Sequence, residues 1–422
     1  MRFLATPGGG GPLTLTEFKT TLIDRRRFEP KREATVGTAR CIAYNIKEVR
    51  KAVGRCVAEL PDMQELFTSA RHVLLKPNLL SSHRGPDDHV NTHPAFVQAI
   101  AELLVHDFGC DVAIGDSCGT LTEGSTAKAI RKSGMGAVAK NVGASIYNVD
   151  TQPRHVVHFD QARVYNDIPL PSNLSSFDLI VSLPKMKTHS LTYITVAVKN
   201  LLGLVPGAAK KQAHLMAPRP PEFASLLCDL YALVQPGAAF VDGVMAMEGR
   251  GPSNGTPRHV ELVAASCDPV ALDSFCAQVM GFDPLSIPLL AQCAERGLGT
   301  AAPSQITVRG EPASAFALED FAKPPTYAST VALGFVPRWL LRTVLGAFAS
   351  RHARINQQAC TRCGECARNC PSHAISQRTS SGPYFVDRHR CISCYCCEEV
   401  CPSNAVSVQG TLVRRLLSRK RS

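Results

Sequence analysis

The sequence predicts an α/β domain with a largely parallel sheet, followed by a small cysteine-rich α+β module at the C-terminus. Three observations carry this. Short apolar runs alternate with helical stretches between residues 36 and 310. Those runs close on polar residues. Nine of the 17 cysteines fall between Cys360 and Cys401, in two runs of one spacing.

Taken in order, residues 1–34 read as a weakly ordered extension. Gly8-Gly9-Gly10-Gly11-Pro12 follows no strand and so is no nucleotide loop. Val73-Leu74-Leu75 is a first buried strand and closes on Lys76-Pro77-Asn78. Residues 94–107 have helical spacing, with Pro94 suited to the first turn. Val112-Ala113-Ile114 closes on Gly115-Asp116-Ser117. Leu179-Ile180-Val181 closes on Leu183-Pro184-Lys185, Ala239-Phe240-Val241 on Asp242-Gly243, and Val260–Val263 leads to Asp268. Short apolar strands between helices suggest a parallel sheet. In such sheets ligands bind beyond the C-terminal strand ends, where these polar residues fall. The domain spans residues 35–322 and a linker spans 323–355. In the linker, Phe335, Trp339, Leu340, Val344, Leu345 and Phe348 recur at near-helical spacing among Arg338, Arg342 and Arg351. This amphipathic stretch is expected to dock the C-terminal module, with membrane contact as the alternative.

With 422 residues, 45% hydrophobic and 19% charged, the chain reads as globular with more than one domain. Much of the net charge of +11 sits at the ends, in Arg25–Arg32 and in the basic tail at 410–422. Such blocks are usually solvated. No helix-turn-helix, zinc-finger or single-strand-binding signature is present, so no nucleic-acid partner is expected. No run of about 20 apolar residues predicts a spanning helix. Arg25-Arg26-Arg27 is followed by Glu29-Pro30-Lys31-Arg32-Glu33 instead of an apolar segment, which argues against export. Eight cysteines stand singly, mostly in apolar contexts, which suits a reducing cytoplasm.

The cysteine runs are an internal repeat. Cys360, Cys363, Cys366 and Cys370 precede Pro371; Cys391, Cys394, Cys397 and Cys401 precede Pro402. Both read C-x2-C-x2-C-x3-C-P. Three close cysteines wrap one face of an iron–sulfur cubane, and the fourth points away to complete the other. One 4Fe–4S cluster is therefore expected on Cys360, Cys363, Cys366 and Cys401, and a second on Cys391, Cys394, Cys397 and Cys370. Zinc, which favours two spaced pairs, fits poorly. Cys396 is one residue off register and reads as a non-ligand. Residues 356–409 resemble the bacterial two-cluster ferredoxins, which implies one-electron transfer.

The larger domain also carries a recognisable series. Lys76-Pro77-Asn78, Gly115-Asp116-Ser117, Leu183-Pro184-Lys185-Met186-Lys187-Thr188-His189 and Val198-Lys199-Asn200-Leu201-Leu202-Gly203 are followed by Val241-Asp242-Gly243, Met247-Glu248-Gly249-Arg250-Gly251-Pro252 and Asp268–Asp273. Together, over about residues 40–310, they resemble a bacterial and archaeal family known as domain of unknown function 362. Members of that family are often fused to a two-cluster ferredoxin, and the resemblance supplies no reaction.

The chemistry is therefore read from residue types. Lys76, Lys185, Lys187, Lys199, Lys210 and Lys211 are placed in loops, with Asn78, His189, Asn200 and His214 among them and Asp116, Asp242, Glu248 and Asp273 facing them. Lysines at strand ends act as point charges for phosphate or carboxylate, and mixed charge in a pocket perturbs pKa values. Lys185, Lys187, His189, Lys199 and Asp242 are the catalytic candidates. Lys76, Asn78, Asp116, Asn200 and Glu248 are the ligand-binding candidates. Gly249, Gly251 and Gly255 would let backbone N–H groups approach an anion. Asp268 and Asp273 read equally well as helix caps, His214 as a packed histidine and Cys118 as a buried thiol. The expected function is a redox enzyme that binds a small anionic substrate or cofactor and exchanges electrons through its clusters. The alternative is an electron-transfer or assembly subunit that docks a redox partner, with peripheral membrane contact as a further option.

Overall fold

A computed structural model describes residues 33–120, 122–327 and 352–409. The N-terminal extension to residue 32, the amphipathic stretch at 335–348 and the basic tail from 410 lie outside the described residues.

The large domain is built on a ten-stranded sheet. Its first half runs β1 (Ala34–Arg40), α1 (Ile46–Ala58), α2 (Pro61–Ser69), β2 (His72–Pro77), α3 (Pro94–Glu102), β3 (Asp111–Asp116), α4 (Ser125–Lys132), α5 (Met135–Val142) and β4 (Ser145–Asn148). A separate hairpin, β5 (Arg154–His158) and β6 (Asp167–Pro171), precedes β7 (Leu179–Leu183), β8 (Lys185–His189), β9 (Tyr193–Thr195) and α6 (Ala197–Asn200). Then come α7 (Gly207–Met216), α8 (Pro220–Val234), β10 (Ala238–Glu248), β11 (Thr256–Ser266), α9 (Pro269–Val279), α10 (Pro288–Glu295) and β12 (Ile306–Arg309).

The main strand order is β12-β1-β11-β10-β7-β2-β3-β4, with β8 and β9 appended beside β10. The segment β10-β7-β2-β3-β4 is wholly parallel; β11 runs antiparallel to both β1 and β10. Alternate residues along each strand feed opposite cores, as a period of two demands. Val73, Leu75, Val112, Ile114 and Val181 join a core with α1–α5. Leu74, Ala113, Ile180, Ala239 and Val241 join a second core with α6–α10. The result is a three-layer α/β domain. From β2 the chain winds outward through β3 and β4, then returns to place β7 on the other side of β2. The crevice between β2 and β7 is thus a topological switch point, where open parallel sheets bind ligands.

The C-terminal module repeats itself in backbone as well as in sequence. Strand β13 (His352–Ile355) pairs antiparallel with β16 (Val406–Gln409), and β14 (Ile375–Gln377) with β15 (Tyr384–Val386). Short helices α11 (Glu365–Arg368) and α12 (Cys396–Glu399) follow the second cysteine of each run. Left-handed backbone recurs at matching positions: Arg362 and Ser393 (φ 58° each), Gly364 and Tyr395 (80° and 67°), His373 and Asn404 (51° and 54°). A side chain pays strain there, so six left-handed turns at matched positions mark loops wrapped around something. Among the described residues no helix is long and apolar enough to cross a membrane.

The module seats on the large domain mainly through α12. Tyr395 is buried within the larger core. Arg250 Nη2 lies 2.5 Å from Glu398 Oε1, and Asn254 Nδ2 donates to Glu398 O at 2.9 Å. From the other repeat, Arg368 O accepts from Lys211 Nζ at 2.7 Å.

Candidate functional site

The crevice between β2 and β7 gathers lysines that an exposed loop would leave in water. Lys76, Lys185, Lys187 and Lys210 are buried, and Lys199 is partly buried. The expectation of loops is corrected for all five, Lys76 lying on β2. Lys185 and Lys187 lie on β8, which pairs with β10; Lys199 is on α6 and Lys210 on α7. Two of the five have a carboxylate partner. Lys76 Nζ is 2.8 Å from Asp116 Oδ1 and donates to Asn200 Oδ1 at 3.1 Å. Lys185 Nζ is 3.0 Å from Asp242 Oδ2 and 2.5 Å from the Tyr44 hydroxyl, which donates to Asp242 Oδ1 at 2.6 Å. Lys187 donates only to neutral oxygens, Asn78 Oδ1 at 2.6 Å and Val90 O at 2.8 Å. Lys210 donates to Ser117 O, Ser117 Oγ and Cys118 O. Lys199 Nζ has no hydrogen bond or ion pair among the described residues.

Burial pushes the lysines below their ordinary range. Lys76 falls to about 8 against the opposing pull of Asp116. Lys187 falls well below, through burial and then the charges of Lys199 and Lys185. Lys199 is lowered by burial, with Glu399 opposing. His214 is lowered to about 3 by burial and by Lys199 and Lys210, so it is neutral at pH 7. The pattern is that of a site with more cationic groups than anionic ones.

A cavity of about 60 Å³ lies at this crevice. One wall is Asn78, Asp116, Lys199, Asn200, Lys210 and His214; the other is Cys396, Glu399 and Val400 from the C-terminal module. That volume holds a few waters or one small ion. Three buried polar atoms at or beside it lack hydrogen bonds: His214 Nδ1, His189 Nε2 and Glu399 Oε1. His189 Nδ1 accepts from Leu191 N and Thr192 N, which places its proton on Nε2, 3.3 Å from Glu399 Oε1. His214 also stacks on Phe223, centroids 4.7 Å apart, so it is both packed and part of the wall.

Local structure fixes these groups. Asp273 accepts from Ala197 N at 2.6 Å and Val198 N at 3.1 Å, anchoring the turn that carries Lys199 and Asn200. Asp268 caps α9. Asp150 takes Ser117 Oγ, Thr126 Oγ1 and Gly207 N, fixing the start of α7 and the Ser117 loop beneath Lys210. Gly203 faces the Lys76–Asp116 pair: a Cβ there would overlap the Asp116 carboxylate and lie 2.6 Å from Lys76 Nζ. Gly203→Ala is therefore expected to lose about 1–3 kcal/mol in a denaturant melt, because the pair must give way. A loss under 0.5 kcal/mol would show that the pair is not rigid.

The structure brings together Lys76, Asn78, Asp116, Lys187, His189, Lys199 and Asn200. Lys185 and Asp242 sit beyond Asn78, in a saturated cluster with Tyr44, whose ring stacks on His93 at 3.7 Å. Glu248 stands apart, accepting from Ala322 N and facing Arg258. Added Cβ atoms at Gly251 and Gly255 would strike Thr188 O and Glu248 O, so these glycines serve close chain packing and form no anion cradle. Cys118 is buried, its thiol raised to about 11 by burial, and it donates to Leu80 O. Sequence reasoning missed Glu399, Cys396 and Tyr44 as neighbours of the lysines; a pair of acids between two cluster ligands was the available signal for Glu399.

The cysteines converge as two sets. Burial pushes the Cys366 thiol up to about 12, and the charges acting on it are Cys401, Cys363 and Cys360. Cys397 is raised by burial and then by Cys394, Cys391 and Cys370, with Cys366 of the other set acting last. A cavity of about 20 Å³ is lined by Cys370, Cys391, Cys394 and Cys397. Ala374 N donates to Cys370 Sγ and Ala405 N to Cys401 Sγ, each at 3.2 Å, as suits thiolate ligands. Among the described residues no group of three or more His, Cys, Asp or Glu closes on a single metal ion; a cubane, with its thiolates on different irons, asks for a wider cage.

A family model described as a domain of unknown function (DUF362) matches residues 73–278, and one described as a 4Fe-4S dicluster domain matches residues 352–402. A thylakoid-associated protein of Synechocystis sp. is 31% identical over 269 residues, covering 64% of this chain and 81% of that protein. Among solved structures, the lactate racemase apoprotein from Thermoanaerobacterium thermosaccharolyticum aligns at 12% identity with a TM-score of 0.41, over 60% of this chain and 58% of that one. The chain belongs to the DUF362 family and joins that domain to a 4Fe–4S ferredoxin-type domain of the electron-transfer kind.

Proposed function

We propose that the α/β domain binds a small anion in the cavity beneath the ferredoxin-type module, and that the protein is a redox enzyme acting on that anion. The observation that carries this is Lys199 beside His214: a lysine without a described partner, in a cavity whose far wall belongs to the module. Lys187, Lys199 and Lys210 lack a direct carboxylate, so an entering anion would supply the missing charge. Two 4Fe–4S clusters, on Cys360, Cys363, Cys366 and Cys401 and on Cys391, Cys394, Cys397 and Cys370, would supply electrons one at a time. Lys199 would bind and orient the anion, with Asn200 and the Lys76–Asp116 pair fixing the wall behind it. His189, through Nε2–H, would hold Glu399 at the cavity edge.

The test is calorimetric titration of the anaerobically purified holoprotein with inorganic phosphate, sulfate and a panel of small carboxylates. At least one is expected to bind, and to bind about 10–100-fold more weakly to Lys199→Met, the worth of one charge-assisted contact. A reacting anion would also reoxidise the dithionite-reduced protein. Absence of binding by every anion would overturn the reading.

A second reading, peripheral membrane association, is supported by the thylakoid-associated relative. Co-sedimentation of the full chain with phosphatidylglycerol vesicles is expected under it; recovery of all protein in the supernatant would sink it.

A further inference from the structure

The module has two unlike sides. The side facing the large domain carries Tyr395, Cys396, Glu398 and Glu399, all of them buried or partly buried. The side bearing Cys360 and Cys363 is open: Cys363 is exposed and Cys360 half-buried. The β14–β15 hairpin folds against this open loop. Arg362 Nη1 donates to Ser381 O at 3.1 Å, Gln357 Nε2 donates to Tyr384 O at 2.8 Å, and Arg368 Nη2 donates to Cys363 O at 2.7 Å. The open loop therefore holds an exposed cysteine of the cluster set with the exposed side chains of Arg362 and Arg368 beside it.

Charge on the module is one-sided. Between residues 352 and 409 there are six arginines, and all are exposed: Arg354, Arg362, Arg368, Arg378, Arg388 and Arg390. Of the acids there, Glu365 and Glu398 are buried, Glu399 is partly buried, and Asp387 alone is exposed. Glu365 is further paired to Arg368 at 2.9 Å. Basic rims around an open redox site steer an acidic partner into contact and shorten the distance an electron must travel.

The geometry points to the Cys360–Cys363 face, rimmed by Arg362 and Arg368, as the docking surface for a small acidic one-electron carrier protein. The carrier and this protein exchange a single electron, one oxidised as the other is reduced, with no proton or group transferred. The inference rests on the electron-transfer part of the function proposed above. It gives the module a direction: the carrier meets the Cys360–Cys363 side, and the cavity lies against the Cys394–Cys401 side.

The experiment uses the anaerobic holoprotein and flavodoxin, an acidic one-electron carrier, as probe. Binding is measured by titration, and electron exchange by stopped-flow absorbance across a range of ionic strength. For the wild type, the second-order rate should fall about 10-fold or more from low to high salt. Arg362→Glu/Arg368→Glu should weaken binding and slow exchange about 10-fold or more at low salt and flatten the salt dependence. Arg154→Glu, an exposed change on β5 far along the chain, should leave both as in the wild type. The iron–sulfur absorbance of each variant checks that the module is intact. Where the double variant loses that absorbance, Arg362→Gln and Arg368→Gln are read instead, with smaller losses expected. Unchanged binding and exchange in variants with intact absorbance would overturn the proposal. So would arginine-dependent binding to phosphatidylglycerol vesicles together with no flavodoxin binding, which would make the face a lipid contact. Anion titration of the same variants separates the two proposals, since neither arginine touches the cavity.

Discussion

Cys370→Ser is expected to cost the protein the cluster whose other three ligands lie in the opposite repeat. Cys370 belongs by sequence to the first run, yet its thiol acts on Cys397 and lines one cavity with Cys391, Cys394 and Cys397. Under the crossed assignment proposed above, one substitution in the first repeat would strip metal from the second. Iron should fall from about eight per chain to about four or fewer. The structural loss should be larger than the stoichiometry suggests. The module has only short strands and two one-turn helices, and four of the nine buried residues of its apolar cluster are cysteines. Metal binding and folding are one process in such a unit, and structural metal sites contribute on the order of 10 kcal/mol. Limited proteolysis should then cut within 356–409 while leaving a protected α/β fragment. Cys396→Ser is the control: off register, with its Sγ 3.9 Å from Cys394 O, it should keep full iron. Full iron in Cys370→Ser, or loss of iron in Cys396→Ser, would refute the ligand assignment.

The spacing of the two cysteine runs implies crossing ligands, and the fold sets Cys370 against Cys391, Cys394 and Cys397 in one cavity. The parallel strands were legible in the sequence because fully buried strands are short apolar runs, and their ends are marked by the first polar residues. Lys76, Asp116 and Lys185 sit at or just beyond those ends. What spacing does not encode is the partner across the crevice. Lys210 on a helix looks like a solvated residue, and nothing local shows that it turns inward to Ser117 and Cys118. Glu248 illustrates the opposite error. The sequence sets it among the acids facing the lysines, but β10 runs on for eleven residues and carries it past the crevice to Arg258 and Ala322. The docking role assigned to residues 335–348 fell outside the described residues, while α12, read only as a cluster loop, supplies the contacts with Arg250 and Asn254.

Lys199→Met should weaken anion binding and stabilise the protein at the same time. The two signs follow from one cause. Burial lowers the pKa of Lys199 below its ordinary 10.5, so the charged form is disfavoured in the folded state. Between the lowered pKa and 10.5 the unfolded chain binds more protons than the folded one. Folding stability therefore rises as pH rises through that window, and below it the full cost of holding the charged lysine is present. Methionine of similar length removes that cost, and a gain of about 0.5–2 kcal/mol near neutral pH is expected. The gain should shrink toward pH 10.5. Binding runs the other way. The anion needs the protonated lysine, so wild-type affinity should be level below the lowered pKa and fall up to about tenfold per pH unit above it, well before an ordinary lysine would titrate. Lys199→Arg, charged at every accessible pH, should lose that alkaline limb while retaining affinity at neutral pH. A purely structural lysine gives a different result: its removal destabilises the fold and leaves the pH profile of binding unchanged. Paired melts and titrations of Lys199→Met and Lys199→Arg across pH 6 to 10 separate the two cases. A lower melting temperature for Lys199→Met, with wild-type affinity, would remove Lys199 from the site.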